Sequence, residues 1–270
     1  MPKTIFITGA SSGLGRATAR LFAQKGWNVI ATMRNPADAA DLAALERVAV
    51  LPLDVTDPAQ IERTVAAALE LHDVEVVFNN AGAGLAGPLE GMTDEQLVRQ
   101  IDTNLLGVMR VTRAFLPHLR ARQGGLIVTT SSIGGLVSFP FNSAYHATKW
   151  ALEGWSESLA FELRRFGIGV KTVLPGGIST DFERRSVVRV QHGAYAQDSA
   201  RNSSALSDPA LRAGGSSAEQ IAEVVYGAVT DGREQLRYLA GADANAVYAQ
   251  RLQAGDEAFR AGVRQRFLGD

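Results

Sequence analysis

The chain reads as an α/β protein, a doubly wound parallel sheet of about seven strands with helices on both faces. Three observations predict this. Short apolar, β-branched runs alternate with amphipathic helical stretches along the whole length. A glycine-rich turn, Gly9 to Gly15, joins the first strand to the first helix. The 270 residues are 46% hydrophobic and carry no repeat, low-complexity tract or linker, so a single domain over residues 1–270 is expected.

Thr4-Ile5-Phe6-Ile7-Thr8 is apolar or β-branched on both faces, as a strand inside a parallel sheet must be. After the turn comes a helix with Leu14, Ala17, Leu21 and Phe22 on one side and Gly26 as its stop. Glycines between strand and helix let backbone amides approach a diphosphate at the helix N-terminus. The spacing is Gly-x-x-x-Gly-x-Gly, and no Gly-Lys-Ser/Thr follows, which argues against a nucleoside triphosphatase loop. Asn28 to Met33 makes the second strand. In dinucleotide folds an acid about 20 residues past the glycines holds the ribose 2′-hydroxyl, whereas an arginine accommodates a 2′-phosphate. Arg34 stands there and the acid is missing. NADP(H) is therefore expected, with NAD(H) possible.

Val48 to Leu53 is a third strand, running into Asp54-Val55, and Pro58 to Leu71 a helix. Val74 to Phe78 is a fourth strand, followed by Asn79-Asn80-Ala81-Gly82. A long helix from Asp94 to Arg120 carries Asn104 on its inner face, where a buried amide must find partners. Leu126 to Thr130 delivers Ser131-Ser132 at its C-terminal end, the end at which open α/β sheets place their ligand crevice. A helix from Ala144 to Phe166 and a strand from Ile168 to Leu174 lead to Pro175-Gly176-Gly177-Ile178-Ser179-Thr180. Residues 181–217 are polar, without sustained period, and read as an irregular substrate lid. Ala218 to Thr230 resumes as helix, Leu236 to Leu239 as the last strand, and Asn245 to Gln253 as a terminal helix.

Tyr145 and Lys149 lie four apart, on one face of their helix. A phenol titrates near pH ~10, and bringing it to about 7 takes roughly 4 kcal/mol. One ammonium about 4 Å away, at an effective dielectric near 20, supplies on the order of 4 kcal/mol. Lys149 is thus expected to make Tyr145 a working acid/base. Only four of the 27 basic residues are lysine, so a compact ammonium here stands out in an arginine-rich chain.

A net charge of −1 removes the electrostatic case for nucleic acid or an anionic membrane as partner. With no cysteine, disulfides, thiol catalysis and thiolate metal sites are excluded, which suits a reducing cytoplasm. No apolar run is long enough to span a bilayer. His72, His118, His146 and His192 have no metal-ligand spacing, so no metal is expected. His146 reads as structural or substrate-facing. Phe139 and Phe141 read equally as pocket floor or core, as does Phe182 at the start of the lid. Arg184, Arg185 and Arg189 read as a solvated face. Trp150 and Trp155 read as packing.

Taken together, Thr8-Gly9-x-x-x-Gly13-x-Gly15, Asn79-Asn80-Ala81-Gly82, Asn104, Ser132, Tyr145-x-x-x-Lys149 and Pro175-Gly176-x-Ile178-x-Thr180 resemble the short-chain dehydrogenase/reductase family, nearly end to end. Ala31-Thr32-Met33-Arg34 is similar to members acting on steroids, retinoids or other lipophilic carbonyls. The resemblance implies a Rossmann-type fold and an NAD(P)-dependent interconversion of alcohol and carbonyl. Tyr145 would move the proton, Lys149 would depress the tyrosine pKa and hold the nicotinamide ribose, Ser132 would bond the developing oxyanion, and Asn104 would hold a water. Gly9, Ser11, Ser12, Gly13, Leu14 and Gly15 would wrap the diphosphate, Arg34 the 2′-phosphate, and Asp54 and Val55 the adenine. Asn80, Ala81 and Gly82 would line the adenine-ribose side, and Pro175, Gly176, Ile178 and Thr180 the nicotinamide. A homodimer or homotetramer is implied. Two rival readings are a non-catalytic NADP(H) sensor and an NAD-dependent epimerase of nucleotide sugars. A sensor has no need of all four of Asn104, Ser132, Tyr145 and Lys149, and the glycine spacing and compact C-terminal part disfavour the epimerase.

Overall fold

A computed structural model of the chain describes residues 2–179, 186–208 and 214–269. Its centre is a seven-stranded sheet built from β1 (Thr4–Thr8), β2 (Asn28–Met33), β3 (Val48–Pro52), β4 (Val76–Asn79), β5 (Gly125–Thr130), β6 (Ile168–Pro175) and β7 (Arg237–Ala240). The spatial order is β7-β6-β5-β4-β1-β2-β3. Every neighbouring pair is parallel. Strand order reverses between β1 and β4, which opens a crevice at their C-terminal ends.

Helices cover both faces because the strands are apolar on both. On one face α1 (Gly13–Gln24) and α7 (Ala218–Thr230) pack Phe22, Ile221 and Val225 over Ile5, Ile7, Val128 and Val173. On the other, α2 (Pro58–Leu71), α4 (Gly107–Arg122) and α5 (Ser143–Leu163) pack Ile61, Phe115 and Leu159 over Phe6, Ile30, Ile127 and Val170. Phe6 and Phe115 meet edge-on with ring centroids 4.8 Å apart. Lys171 sits buried on the first face, donating to Ala228 O and to Asp231 Oδ1, each at 2.7 Å. Lys171 thus ties β6 to the C-terminus of α7.

Three elements depart from the sequence expectation. The helix expected over Asp94 to Arg120 is two, α3 (Asp94–Ile101) and α4, joined by a π-turn over Asp102–Leu106. Periodicity does not show a π-turn, because a single widened turn is too short a stretch for a window of helical periodicity to resolve. The span expected to be an irregular lid contains α6 (Ala196–Leu206), and Val187–Arg189 pairs with Gly84–Ala86. A sequence such as Ala-Gln-Asp-Ser-Ala-Arg-Asn-Ser-Ser carries almost no apolar stripe, so tertiary docking makes that helix rather than pattern. The expected terminal helix extends over α8 (Ala242–Ala254), and a further helix, α9 (Asp256–Leu268), follows.

Candidate active site

The C-terminal ends of β1, β4, β5 and β6 converge on one edge of the crevice. After β1 the chain turns at Gly9 with φ +69°, a left-handed conformation that favours glycine. A side chain on Gly9 would strike Ala81, and one on Gly15 would strike the Gly9 carbonyl and Asn80 Nδ2. The turn is therefore pressed against the loop after β4. That loop holds it in place: Asn80 Nδ2 donates to Thr8 O and Gly9 O at 3.1 and 3.2 Å, and Thr8 Oγ1 accepts from the Asn80 and Ala81 amides. Ser12 is the extended N-cap of α1 and makes no side-chain cap. The first-turn amides of α1 thus point outward with no capping side chain, the condition for holding an anion. Leu14 is buried in the core, so it offers only its backbone to the crevice.

Arg34 is exposed at the end of β2 and pairs with no described residue. Its basic neighbours are committed: Arg16 and Arg20 both bond the Asp41 carboxylate. Asp54 accepts from the Thr56 amide and hydroxyl at 2.9 and 2.7 Å, and so fixes its own turn. Val55 is buried in the core beside Gly107. Pro175 is buried, and Gly177 N donates to Asp243 Oδ2 at 2.6 Å. Asp243 braces this turn, a role with no sign in the sequence, where an acid in the first turn of α8 looks like ordinary helix chemistry. Thr180, Phe182, Arg184 and Arg185 lie outside the described residues.

The N-terminal half of α5 faces Ser132. Burial pushes the Tyr145 phenol up, while a hydrogen bond with Ser132 lowers it by a smaller amount. This corrects the sequence expectation of a phenol depressed by lysine: Tyr145 is a protonated acid at neutral pH. The Lys149 amine lies 5.6 Å from the Tyr145 ring centroid and donates to Thr130 O at 2.8 Å. Lys149 is 6% exposed, and burial brings its amine down to about 8 against the opposing charge of Glu153. At pH 7 it is still mostly an ammonium. Ser131 faces the interior and Ser132 the crevice, as strand alternation requires.

Asn104 lies in the π-turn and is 1% exposed. Its Oδ1 accepts from Ala83 N at 2.8 Å, while Nδ2 donates to Ala83 O at 2.8 Å and Thr148 Oγ1 at 3.3 Å. The amide side chain is thus a clamp between the loop after β4 and α5.

His146, one residue from Tyr145, points the other way. Its Nδ1 lies 2.7 Å from Gly134 O, and its Nε2 accepts from Phe139 N at 3.1 Å. Both nitrogens are used by a neutral ring, so His146 is structural and fixes the loop that follows Ser132. Phe139 is partly buried: it packs on the cluster that holds Val137 and Phe259, meets Phe267 edge-on at 5.6 Å, and also lines a cavity with Phe141, His146 and Trp150. Burial lowers the His146 pKa below 6.5. The unfolded chain takes up this proton as pH falls below about 6.5 while the folded chain resists it, so the unfolded state binds more protons there and stability falls. We expect the urea midpoint to drop from about pH 7 to about pH 5, and His146→Gln, less stable at neutrality, to show a flatter profile. Equal slopes in both proteins would exclude this histidine as the cause.

The model of the short chain dehydrogenase family matches residues 3–189. The chain belongs to that family. It is an oxidoreductase. It is 39% identical to a 3-ketodihydrosphingosine reductase of Bacteroides thetaiotaomicron over 182 residues, 67% of this chain and 66% of the reductase. It is 38% identical to human retinol dehydrogenase 8 over 205 residues, 72% of this chain and 65% of that one. The chain thus spans about two thirds of the length of these curated relatives. A short-chain dehydrogenase from Streptomyces avermitilis superposes with TM-score 0.84 at 34% identity, covering 98% of this chain and 95% of that one. One from Burkholderia cenocepacia, solved with NADP, superposes with TM-score 0.78 at 26% identity over 99% and 98% of the two chains.

Proposed function

We propose that this member of the family interconverts an alcohol and a ketone or aldehyde on a small-to-medium lipophilic substrate, using NADP(H), with Tyr145 as general acid/base. One observation carries the reading: Tyr145, bonded to Ser132, stands beside a buried, charged Lys149 at the edge where the glycine turn presents its uncapped amides.

The nicotinamide, when bound, supplies or accepts the hydride. The chain's own residues do the rest. Gly9, Ser11, Ser12, Gly13, Leu14 and Gly15 would offer backbone or hydroxyl to the diphosphate, a fit supported by the first-turn amides of α1, which no side chain caps. Asp54 and Val55, with Asn80, Ala81 and Gly82, would flank the adenosine end, and Pro175, Gly176 and Ile178 the nicotinamide end. In the reducing direction Tyr145 gives its proton to the substrate oxygen while Ser132 donates a hydrogen bond to it. Lys149 then faces the phenolate with its charge, and Asn104 keeps the loop after β4 and α5 in register.

Lipophilic substrates are supported by the aromatic wall near the site, where the Phe141 and Tyr195 rings meet with centroids 6.5 Å apart. They are supported also by the lipid substrates in the names of the two relatives above. Homo-oligomer formation belongs to the same reading, since Val98 and Ile101 on α3 and Phe161 on α5 are exposed apolar side chains. Among the described residues no helix is long and apolar enough to cross a membrane. A cytoplasmic location is proposed on the absence of cysteine.

The test is oxidation of NADPH and of NADH with a panel of alkyl and aryl ketones and aldehydes. Arg34→Ala is expected to weaken NADPH by about ten-fold or more, the loss of one charge-assisted bond, and to leave NADH unchanged. Equal affinities for the two cofactors in the wild type would sink the preference.

A further inference from the structure

The proposed reaction leaves a buried charge beside the site unused. Glu153 lies on α5 one turn beyond Lys149, its side chain 4% exposed. It faces a row that runs across three strands: Thr129 pairs in register with Thr172, and Thr172 with Arg237. Glu153 Oε2 accepts from Arg237 Nε at 2.7 Å and lies 3.4 Å from Thr172 Oγ1. The other arm of Arg237 reaches Glu157 at 2.7 Å. Among the described residues, Glu153 Oε1 is buried and without a partner, and so is Ser131 Oγ. A carbon added at Gly135 would touch Lys149 O, Glu153 Cγ and Ser131 Oγ together, so these groups crowd one point behind the site.

A carboxylate in such a place is costly. One oxygen has no partner, and the arginine that pairs the other is a third exposed. A salt bridge needed only to pin α5 to β7 would serve as well near the surface, where Glu157 already makes it. Tyr145, Lys149 and Glu153 follow one another at four-residue spacing, so the carboxylate sits in line with the two groups at the site.

We propose that Glu153, held by Arg237 and Thr172, is a positioning residue that keeps the Lys149 amine charged beneath Tyr145. The inference rests on the roles given above to that pair. Burial draws the amine down to about 8, and Glu153 is the charge that opposes it. The other charged or titratable groups around α5 do not supply that help. His146 is a neutral ring turned to Gly134 and Phe139, Arg237 is cationic, Glu157 is spent on Arg237 near solvent, and Lys171 with Asp231 lies on the opposite sheet face.

The chain has four lysines, so ¹³C-lysine labelling gives four Cε signals, assignable by Lys→Arg variants. In Glu153→Gln the Lys149 titration midpoint is expected to fall by about one pH unit, with Lys3, Lys25 and Lys171 unmoved. The alkaline limb of kcat/KM is expected to fall with it. Glu153→Asp keeps the charge, and should leave the midpoint near its wild-type value even if stability drops. An unchanged midpoint in folded Glu153→Gln overturns the proposal. So does an equal fall in Glu153→Asp, which would point to packing rather than charge. If the midpoint falls and the turnover profile does not, the hold of Glu153 on Lys149 stands, and it is the catalytic role of the amine that fails.

Discussion

Tyr145→Phe is expected to cut turnover by about 10³-fold, within the range that one positioned general acid contributes. Phenylalanine keeps the ring that packs beside His146 and under Lys149, so the fold and the affinity for NADPH should stay close to wild type. Only the hydroxyl bonded to Ser132 is lost. The loss should appear in kcat and in kcat/KM alike, because the proton moves only as the transition state forms. Single-turnover rates with tritiated cofactor, beside NADPH titrations, separate chemistry from binding. A variant that kept most of its rate would remove Tyr145 from the mechanism. Because burial raises the phenol, the wild-type enzyme should hold its reducing activity through neutral pH and lose it only toward the alkaline side, where Lys149 near 8 gives up its charge first.

Gly15→Ala should be the most damaging single-carbon change in the cofactor turn. Propensity alone predicts the reverse, since alanine in a helix is better than glycine by about 1 kcal/mol. Packing decides otherwise. The new carbon would fall on the Gly9 carbonyl and on Asn80 Nδ2, neither of which can move. The carbonyl is backbone, and Asn80 is bound to Thr8 O, Gly9 O and Thr130 Oγ1. Overpacking of this kind costs about 1–3 kcal/mol, enough to lower Tm by several degrees, and it also dislocates the amides meant for the diphosphate. NADPH affinity should therefore fall along with stability. Gly227→Ala on α7 is the control, as no atom of the described residues lies within 4 Å of its added carbon. That variant should be stabilised by up to about 1 kcal/mol. The same sign of change in both variants would refute the packing account.

Much of this protein could be read from its chain. The order and type of the central strands and most of the helices follow from local pattern: β1 is apolar over all five residues because both faces are covered. Glycines at 9 and 15, and the four-residue step from Tyr145 to Lys149, are local spacings. They survive in a string of letters because strand–turn–helix geometry fixes what lies near what. Arg34 was legible for the same reason, standing one residue past the end of β2.

What the pattern could not hold was anything set by groups far apart in the chain. The direction of the Tyr145 shift was misread because charge spacing shows in the sequence and desolvation does not. Asn104 looked like a residue with a polar errand, and only the fold brings Ala83 and Thr148 to its amide. Asp243, Arg237 and Glu153 had no visible role until β7 and α8 came to lie beside the turn after β6 and the back of α5. The helix α6 formed where periodicity gave no reason for one. The chain by itself settled its central strands and most of its helices, its glycine turn and the face shared by Tyr145 and Lys149, all within one or two turns of backbone. Burial, long-range hydrogen bonds and the effective charge of each site group were decided only by tertiary packing, because solvent exclusion depends on what covers a group and not on its neighbours in sequence.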